Sequence, residues 1–239
     1  MNKRLFFRLI GASLSLGLVL AAAPTRADVA LRPGTTVPLV AEQFNQAGGV
    51  AAGATLVAFT AAQPANLIPG GLAGVTINQA VYREANGNLD FLYQIVNGSS
   101  SALGSVAFVN NTDSNGLPYL ETVGYTTTLP LGGSFTMLGT TPPTQAERTP
   151  GQGAQDTFFF GSPLAAGATS SIFFVRTNAA TFDFAGAMTV NGNASNVGLV
   201  YEPTGPGVNA IPEPSTMTLL GVAGLIGLGG SWIRRKRAA

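Results

Sequence analysis

Apolar and polar residues alternate along the middle of the chain, and this pattern predicts β-strands. In the clearest run, 89–96, every second residue is apolar and would face the same side of a strand: Leu89, Phe91, Tyr93 and Ile95. The preceding run, 74–82, also alternates, and Asn86-Gly87 between the two runs has the chemistry of a tight turn. We therefore predict an antiparallel hairpin over residues 74–96.

Further short runs predict a series of additional strands. They lie at 56–60, 105–110, 119–129, 156–160, 170–177, 181–190 and 197–201. The run Ile172 to Val175 is apolar on both faces, which indicates a central strand covered on both sides. Turn signals separate the strands about every ten residues, so the predicted fold class is all-β, with a single β-sandwich that is Ig-like or jelly-roll-like.

Three stretches are predicted not to be strands. Residues 39–46 fit one or two helical turns. Residues 131–153 are rich in Gly, Thr and Pro and are predicted to form a loop, and 204–209 a spacer.

The N-terminus has the pattern of an export signal. Three cations, Lys3, Arg4 and Arg8, precede a charge-free apolar run over 9–23. Small residues at Thr25 and Ala27 predict cleavage between Ala27 and Asp28, and so a signal peptide over 1–27. An uncleaved membrane anchor is the alternative.

The C-terminus has the pattern of a membrane span. Residues 215–233 carry no charge, and a helix of that length would cover roughly 28 Å, close to the thickness of a bilayer core. Pro212, Glu213 and Pro214 precede this run. The four residues that follow it are cations, which favour the cytoplasmic side: Arg234, Arg235, Lys236 and Arg237. A buried core helix is the alternative.

This tail resembles the PEP-CTERM sorting signal of bacterial exported proteins, with the Pro-Glu-Pro tripeptide, the apolar span and the basic end in the same order. The resemblance implies a temporary anchor that a membrane-embedded exosortase cleaves near the tripeptide. The expected partners are signal peptidase, an exosortase-type protease and the membrane, with an extracellular polysaccharide as a further candidate. The resemblance also implies export across the inner membrane to the cell surface or beyond. The predicted domains are the signal peptide over 1–27, the body over 28–210 and the sorting signal over 211–239.

The charge of the body excludes some partners. Most cations lie in the two ends, so that residues 28–210 contain four Arg, no Lys and ten acids, a formal net charge of −6. Nucleic acid is a poor partner for such a surface, because phosphate binding needs clustered cations. The chain has no Cys, so no disulfide stabilises it.

The absence of His and Cys limits the possible chemistry. The usual Ser-His and Cys-His catalytic pairs require side chains that this chain does not contain. The commonest protein ligands of zinc, copper and haem iron are also missing. We therefore expect no cofactor and no enzyme activity. A carboxylate-based hydrolase is the remaining catalytic option, with these candidates: Glu84, Asp90, Glu121, Glu147, Asp156 and Asp183. Asp90 and Asp183 alternate with apolar neighbours, so both are predicted to face solvent.

Two other patterns suggest binding. Residues 111–116 place oxygen-bearing side chains at alternate positions before a Gly, as a calcium loop does, but the later ligand positions fail and an Asx-rich turn fits better. Five tyrosines offer stacking surfaces for a glycan, although they are also ordinary core residues: Tyr82, Tyr93, Tyr119, Tyr125 and Tyr201. The preferred hypothesis is an exported, non-catalytic surface or extracellular-matrix protein with its functional residues in the sorting ends. The alternative is a glycan- or protein-binding adhesion module.

Overall fold

The structure, a computed structural model, describes residues 29–109, 117–151 and 155–207. Within these ranges the chain forms thirteen strands: β1 Val29–Ala30, β2 Thr36–Pro38, β3 Ala41–Glu42, β4 Thr55–Pro64, β5 Val75–Arg83, β6 Leu89–Asn97, β7 Leu103–Val109, β8 Glu121–Thr126, β9 Gln145–Arg148, β10 Gln155–Leu164, β11 Ile172–Thr177, β12 Ala179–Asn191 and β13 Ser195–Gly207. The predicted all-β class is confirmed.

The strands form two sheets. The first sheet has the order β1-β8-β11-β6-β5-β4, with β3 added in parallel alongside β8. The second sheet has the order β13-β12-β7-β10-β9-β2, and all its neighbours are antiparallel. The predicted hairpin is confirmed as β5 and β6, which pair continuously from Val75 opposite Asn97 to Arg83 opposite Leu89. The finer Ig-like or jelly-roll-like description stays a prediction.

The two sheets pack face to face over a first core. Alternate residues of β6 point into it, as the sequence pattern predicts, and meet aromatic residues of the second sheet. The rings of Phe158 and Phe173 lie 4.9 Å apart between centroids, and those of Tyr93 and Phe108 lie 5.1 Å apart. Such ring pairs join the sheets by apolar burial, which must stabilise a protein without disulfides.

The first sheet is also covered on its outer face. A second core there contains Phe44, Leu92, Phe135, Ile172 and Phe174, with Phe44 and Phe135 supplied by segments outside the long strands. All six residues of β11 are buried, and this strand lies between β8 and β6. The prediction of a central strand covered on both sides is therefore confirmed.

Side chains of the first sheet bind the free edge of β13. Gln79 donates from Nε2 to the Leu199 carbonyl (3.0 Å), and its Oε1 accepts from the Tyr201 amide (2.7 Å). The Tyr93 hydroxyl donates to the Tyr201 carbonyl (2.8 Å), and Tyr119 donates to Gly205 (2.6 Å). These bonds satisfy an edge that would otherwise be open to another strand.

Three predictions about irregular segments are wrong. Residues 39–46 contain β3 and the isolated bridge of Phe44 with Val50 instead of helical turns, because Ala41–Glu42 pairs with β8. The predicted loop 131–153 contains β9, which pairs with β10 in the second sheet and buries its alternate residues Ala146 and Arg148. The predicted spacer overlaps β13, which continues to Gly207 because β12 pairs with it as far as Ala179.

The two predicted targeting segments lie outside the described residues, as does the loop 111–116. Among the residues that the structure describes, no helix is both long and apolar enough to cross a membrane.

The fold makes a prediction about Gln79, which is fully buried. Replacing it by Leu (Gln79→Leu) removes its two hydrogen bonds to the β13 edge, and each buried polar group left unpaired costs about 1–3 kcal/mol. We expect the free energy of unfolding, measured by urea denaturation, to fall by about 2–4 kcal/mol. Gln145→Leu, at an exposed position of β9, is the control and should change it by about 0.5 kcal/mol or less. Equal stabilities of the two variants would contradict the role of Gln79.

Candidate functional site

Two buried arginines lie near one another at one end of the sandwich. Arg148 ends β9 of the second sheet and is 1% exposed, and Arg176 lies on β11 of the first sheet and is 6% exposed. Both line one surface pocket. Each arginine is surrounded by acids that the sequence analysis considers as catalytic candidates.

We call the first group the Arg148 cluster: Arg148, Glu121 and Asp156. Arg148 Nη1 lies 3.0 Å from Glu121 Oε2, and its Nε lies 3.7 Å from Asp156 Oδ1. Asp156 is the cross-strand neighbour of Arg148 within the second sheet, whereas Glu121 begins β8 of the first sheet. The cluster therefore joins the two sheets through charge as well as through apolar contact.

Arg148 also binds backbone. Its Nη1 donates to the Tyr119 carbonyl (2.8 Å) and the Leu31 carbonyl (3.3 Å). These bonds hold the segments next to β1 and β8 at the same end of the fold. One guanidinium thus binds a backbone carbonyl that is 117 positions away in the chain.

The two carboxyl groups of this cluster both have raised pKa values. Burial is the main cause that raises the pKa of Glu121 well above its usual range, and the charge of Asp156 raises it further. Burial raises the pKa of Asp156 to about 6, although its hydrogen bond with Glu121 and the charge of Arg148 both lower it. Both carboxyl groups are therefore easier to protonate than exposed acids are, and Arg148 is the cation that lies beside them.

The second group is the Arg176 cluster: Arg176, Glu84 and Asp90. Arg176 Nε donates to Asp90 Oδ1 (3.3 Å), and its Nη2 contacts Glu84 Oε1. Asp90 is completely buried, so the prediction that it faces solvent is wrong. The reason is that the outer face of the first sheet is covered, and the cross-strand neighbour of Asp90 on β11 is Arg176.

The remaining candidates are not part of either cluster. Asp183 is exposed on β12, as predicted, and Glu147 is exposed on β9. Neither arginine was predicted as a functional candidate. Arg176 follows the apolar run of β11, which is the available signal because an Arg inside a core needs acidic partners. Arg148 alternates with exposed residues of β9 and carries no such signal.

The pocket above the clusters has a volume of about 340 Å³. Its walls are mainly apolar and include Leu31, Pro33, Pro118 and Leu120, while Glu84, Glu121, Arg148 and Arg176 lie among its polar lining residues. Asp156 is fully buried and does not line it. The arrangement pairs each of the four acids with a guanidinium, which favours a structural role for them.

The tyrosines are distributed between core and surface. Tyr82, Tyr93 and Tyr119 are buried with their hydroxyls bonded to other segments, which leaves no face of theirs to a glycan. Tyr125 and Tyr201 are half-buried. Tyr201 stacks near Phe184, which is 39% exposed, with ring centroids 5.0 Å apart.

The predicted sorting residues and the cleavage pair Ala27 and Asp28 lie outside the described residues. Residues 111–116 also lie outside the described residues, so the calcium loop stays an alternative based on the sequence alone. Among the residues that are described, no group of three or more acids is arranged to hold a metal ion.

The described part of the chain is thus a two-sheet all-β body with paired buried charges. Comparison with family models adds one match: residues 210–236 fit the PEP-CTERM protein-sorting motif. The chain is therefore a PEP-CTERM sorting domain-containing protein, which confirms the resemblance seen in its tail. The motif implies exosortase-dependent sorting of an exported protein at a membrane. Neither the curated proteins nor the solved structures give a match.

The Arg148 cluster makes stability depend on pH. Both carboxyl groups bind their protons more tightly in the folded state than in the unfolded state. The stabilisation that these two carboxyl groups contribute to the folded state is complete below pH 4. It is lost as the pH rises through 6 and above, so the free energy of unfolding falls at high pH.

Glu121→Gln tests this prediction, because Gln has nearly the same shape as Glu but cannot ionise. Measured by urea denaturation between pH 5 and pH 8, the free energy of unfolding of the variant should rise relative to that of the wild type by about 1–3 kcal/mol. Glu147→Gln, at an exposed site on the neighbouring strand, is the control. Stability curves of wild type and Glu121→Gln that run parallel with pH would contradict the raised pKa of Glu121.

Proposed function

We propose that this chain is an exported, non-catalytic protein of the cell surface or extracellular matrix. It is made with a signal peptide, anchored for a time by residues 215–233, and freed when an exosortase cleaves near Pro212. The observation that carries the proposal is the match of residues 210–236 to the sorting motif. In support of it, the last described strand, β13, ends at Gly207, so the described body precedes the matched segment in the chain.

The charge clusters support the non-catalytic part of the proposal. A glycosidase needs one carboxyl group that donates a proton to the substrate and a second that acts on the sugar or on water. Here the carboxyl with the strongly raised pKa, Glu121, makes its hydrogen bond with Asp156, and Asp156 has no exposed surface. Arg148 packs against both of them. This arrangement suits a neutral cross-link between sheets.

A second candidate function is adhesion to a glycan or to a surface protein. It is favoured by the exposed ring of Phe184 beside Tyr201, since an exposed aromatic face can stack on a sugar.

Processing of the ends tests the first proposal. Intact mass and terminal sequencing of the protein recovered from its native host should give a chain that begins near Asp28 and ends near Pro212. Replacing Pro212 and Glu213 by Ala should leave the tail attached in most molecules, because the cleavage signal is lost. Replacing Asn209 by Ala, just outside the motif, is the control and should leave processing normal.

Deleting residues 221–233 should release the body from the membrane fraction during export. Recovery of wild-type chains that still extend to Ala239 would contradict cleavage and would make the span permanent. Normal processing of the Pro212 and Glu213 variant would contradict recognition by an exosortase.

Incubation of the mature protein with a panel of extracellular polysaccharides separates the remaining options. We expect no release of new reducing ends by the wild type. If one polysaccharide retains the wild type and retains at least tenfold less of Phe184→Ala, this result would favour the adhesion module. Release of reducing ends by the wild type that is abolished in Glu121→Gln would contradict the non-catalytic assignment.

A further inference from the structure

Both ends of the described body emerge from the same end of the sandwich. At the N-terminal side, Ala30 pairs with Thr122, and the Leu31 amide donates to the Glu121 carbonyl. At the C-terminal side, the Tyr119 hydroxyl donates to Gly205, two residues before β13 ends. Since Ala30, Leu31, Tyr119 and Glu121 line one pocket, we call this region the exit end.

The exit end carries exposed apolar side chains. Among the large apolar residues of the described chain, Leu120 and Leu117 are the most exposed, at 64% and 61%. Two hydrogen bonds to Asn178 fix the backbone of Leu120. The Leu120 amide donates to Asn178 Oδ1 (2.9 Å), and the Leu120 carbonyl accepts from the Asn178 amide (3.2 Å). Arg32, which is also exposed, lines the same pocket.

The chain between the exit end and the predicted span is short. Only residues 208–214 separate Gly207 from the span at 215–233. Seven residues reach roughly 25 Å even when fully extended. The opposite end of β13 lies much farther away, because the eight residues from Val197 to Gly205 add about 27 Å along a strand.

We propose that the exit end, through Leu117, Leu120 and Arg32, rests on the lipid surface of the membrane while the C-terminal tail is inserted. The proposal rests on the transient anchor of the proposed function. Single exposed leucines are ordinary on protein surfaces, but here a short tether holds the two most exposed ones near a bilayer. Leucine side chains enter the interfacial region, and an Arg can extend its guanidinium to lipid phosphates.

The charges nearby permit this contact. The body is acidic overall, which by itself would repel an anionic lipid surface. At the exit end, however, Arg176 lies beside Glu84 and Arg148 lies beside Glu121, so that each of these two acids has a cation next to it. The contact is therefore expected to depend on apolar insertion more than on anionic lipid.

The opposite end offers a matched control. Leu67 and Ile68 are exposed there at 52% and 42%, and the Leu67 amide donates to the Val197 carbonyl near the start of β13. These residues have the same chemistry as Leu117 and Leu120 but lie at the far end of the same strand.

The test uses the chain with its tail, reconstituted in phosphatidylcholine vesicles without any protease. Because the protein has no Cys, a single reporter cysteine can be labelled with an environment-sensitive fluorophore at Asn88→Cys, at the exit end, or at Asn193→Cys, in the turn between β12 and β13. A quencher attached to lipid should reduce the fluorescence at position 88 at least threefold more than at position 193. Flotation of the vesicles measures insertion of the tail separately.

Two double variants complete the test. Leu117→Ser with Leu120→Ser should reduce the quenching at position 88 to the level seen at position 193. Leu67→Ser with Ile68→Ser should leave the quenching at position 88 unchanged. Urea unfolding curves like that of the wild type would confirm that both double variants are folded.

Chains that float with the vesicles but show equal quenching at the two reporters would overturn the contact and leave the anchor intact. A change in the fluorescence at position 88 that appears only when an exosortase is added would also overturn the membrane contact, since the exit end would then be covered by protein. Chains that do not float would contradict the anchor itself, and the membrane contact with it.

Discussion

Burial of the first sheet on both faces is the constraint on which the rest of this structure depends. β11 is buried at every residue, and β6 is buried at all but one. One face packs against the second sheet, and the other is covered by segments that carry Phe44 and Phe135. Those segments are consequently part of the core, although their sequences are rich in Gly, Ala and Thr.

A polar side chain on such strands must find its partners inside the protein. Gln94, on the outer face of β6, donates to the Met137 and Ser170 carbonyls, and Gln79 binds the edge of β13. The same requirement explains the two charge clusters, because a buried guanidinium is tolerated only with compensating acids. Two of the four arginines of the body serve in this way, and both connect segments distant in sequence.

The position of the tail follows from the packing of β13. Bonds from Gln79, Tyr93 and Tyr119 hold this strand against the first sheet almost to its end. The chain therefore leaves the body at a defined place, beside β1 and the pocket. The sorting motif at residues 210–236 therefore follows the body from this one end.

Local features of the sequence predicted several elements correctly. The β5–β6 hairpin was predictable because its strands alternate regularly and a turn with its own chemistry joins them. The strand Ile172–Thr177 was predictable as central because it is apolar on both faces. The prediction failed at 39–46 and at Gln145–Arg148, where short strands exist only because β8 and β10 pair with them.

The candidate site was much less accessible from sequence. The acids were recognisable as candidates, but Arg176 reaches Glu84 and Asp90 over 92 and 86 positions, and alternation alone indicated that Asp90 faces solvent. Only the tertiary structure decided which charges are paired, which tyrosines are buried and where the chain leaves the body, because these depend on contacts between distant segments. The sequence by itself determined the all-β class and the sorting tail, because strand periodicity, apolar length and the order of Pro-Glu-Pro, span and cations are all local properties of the chain.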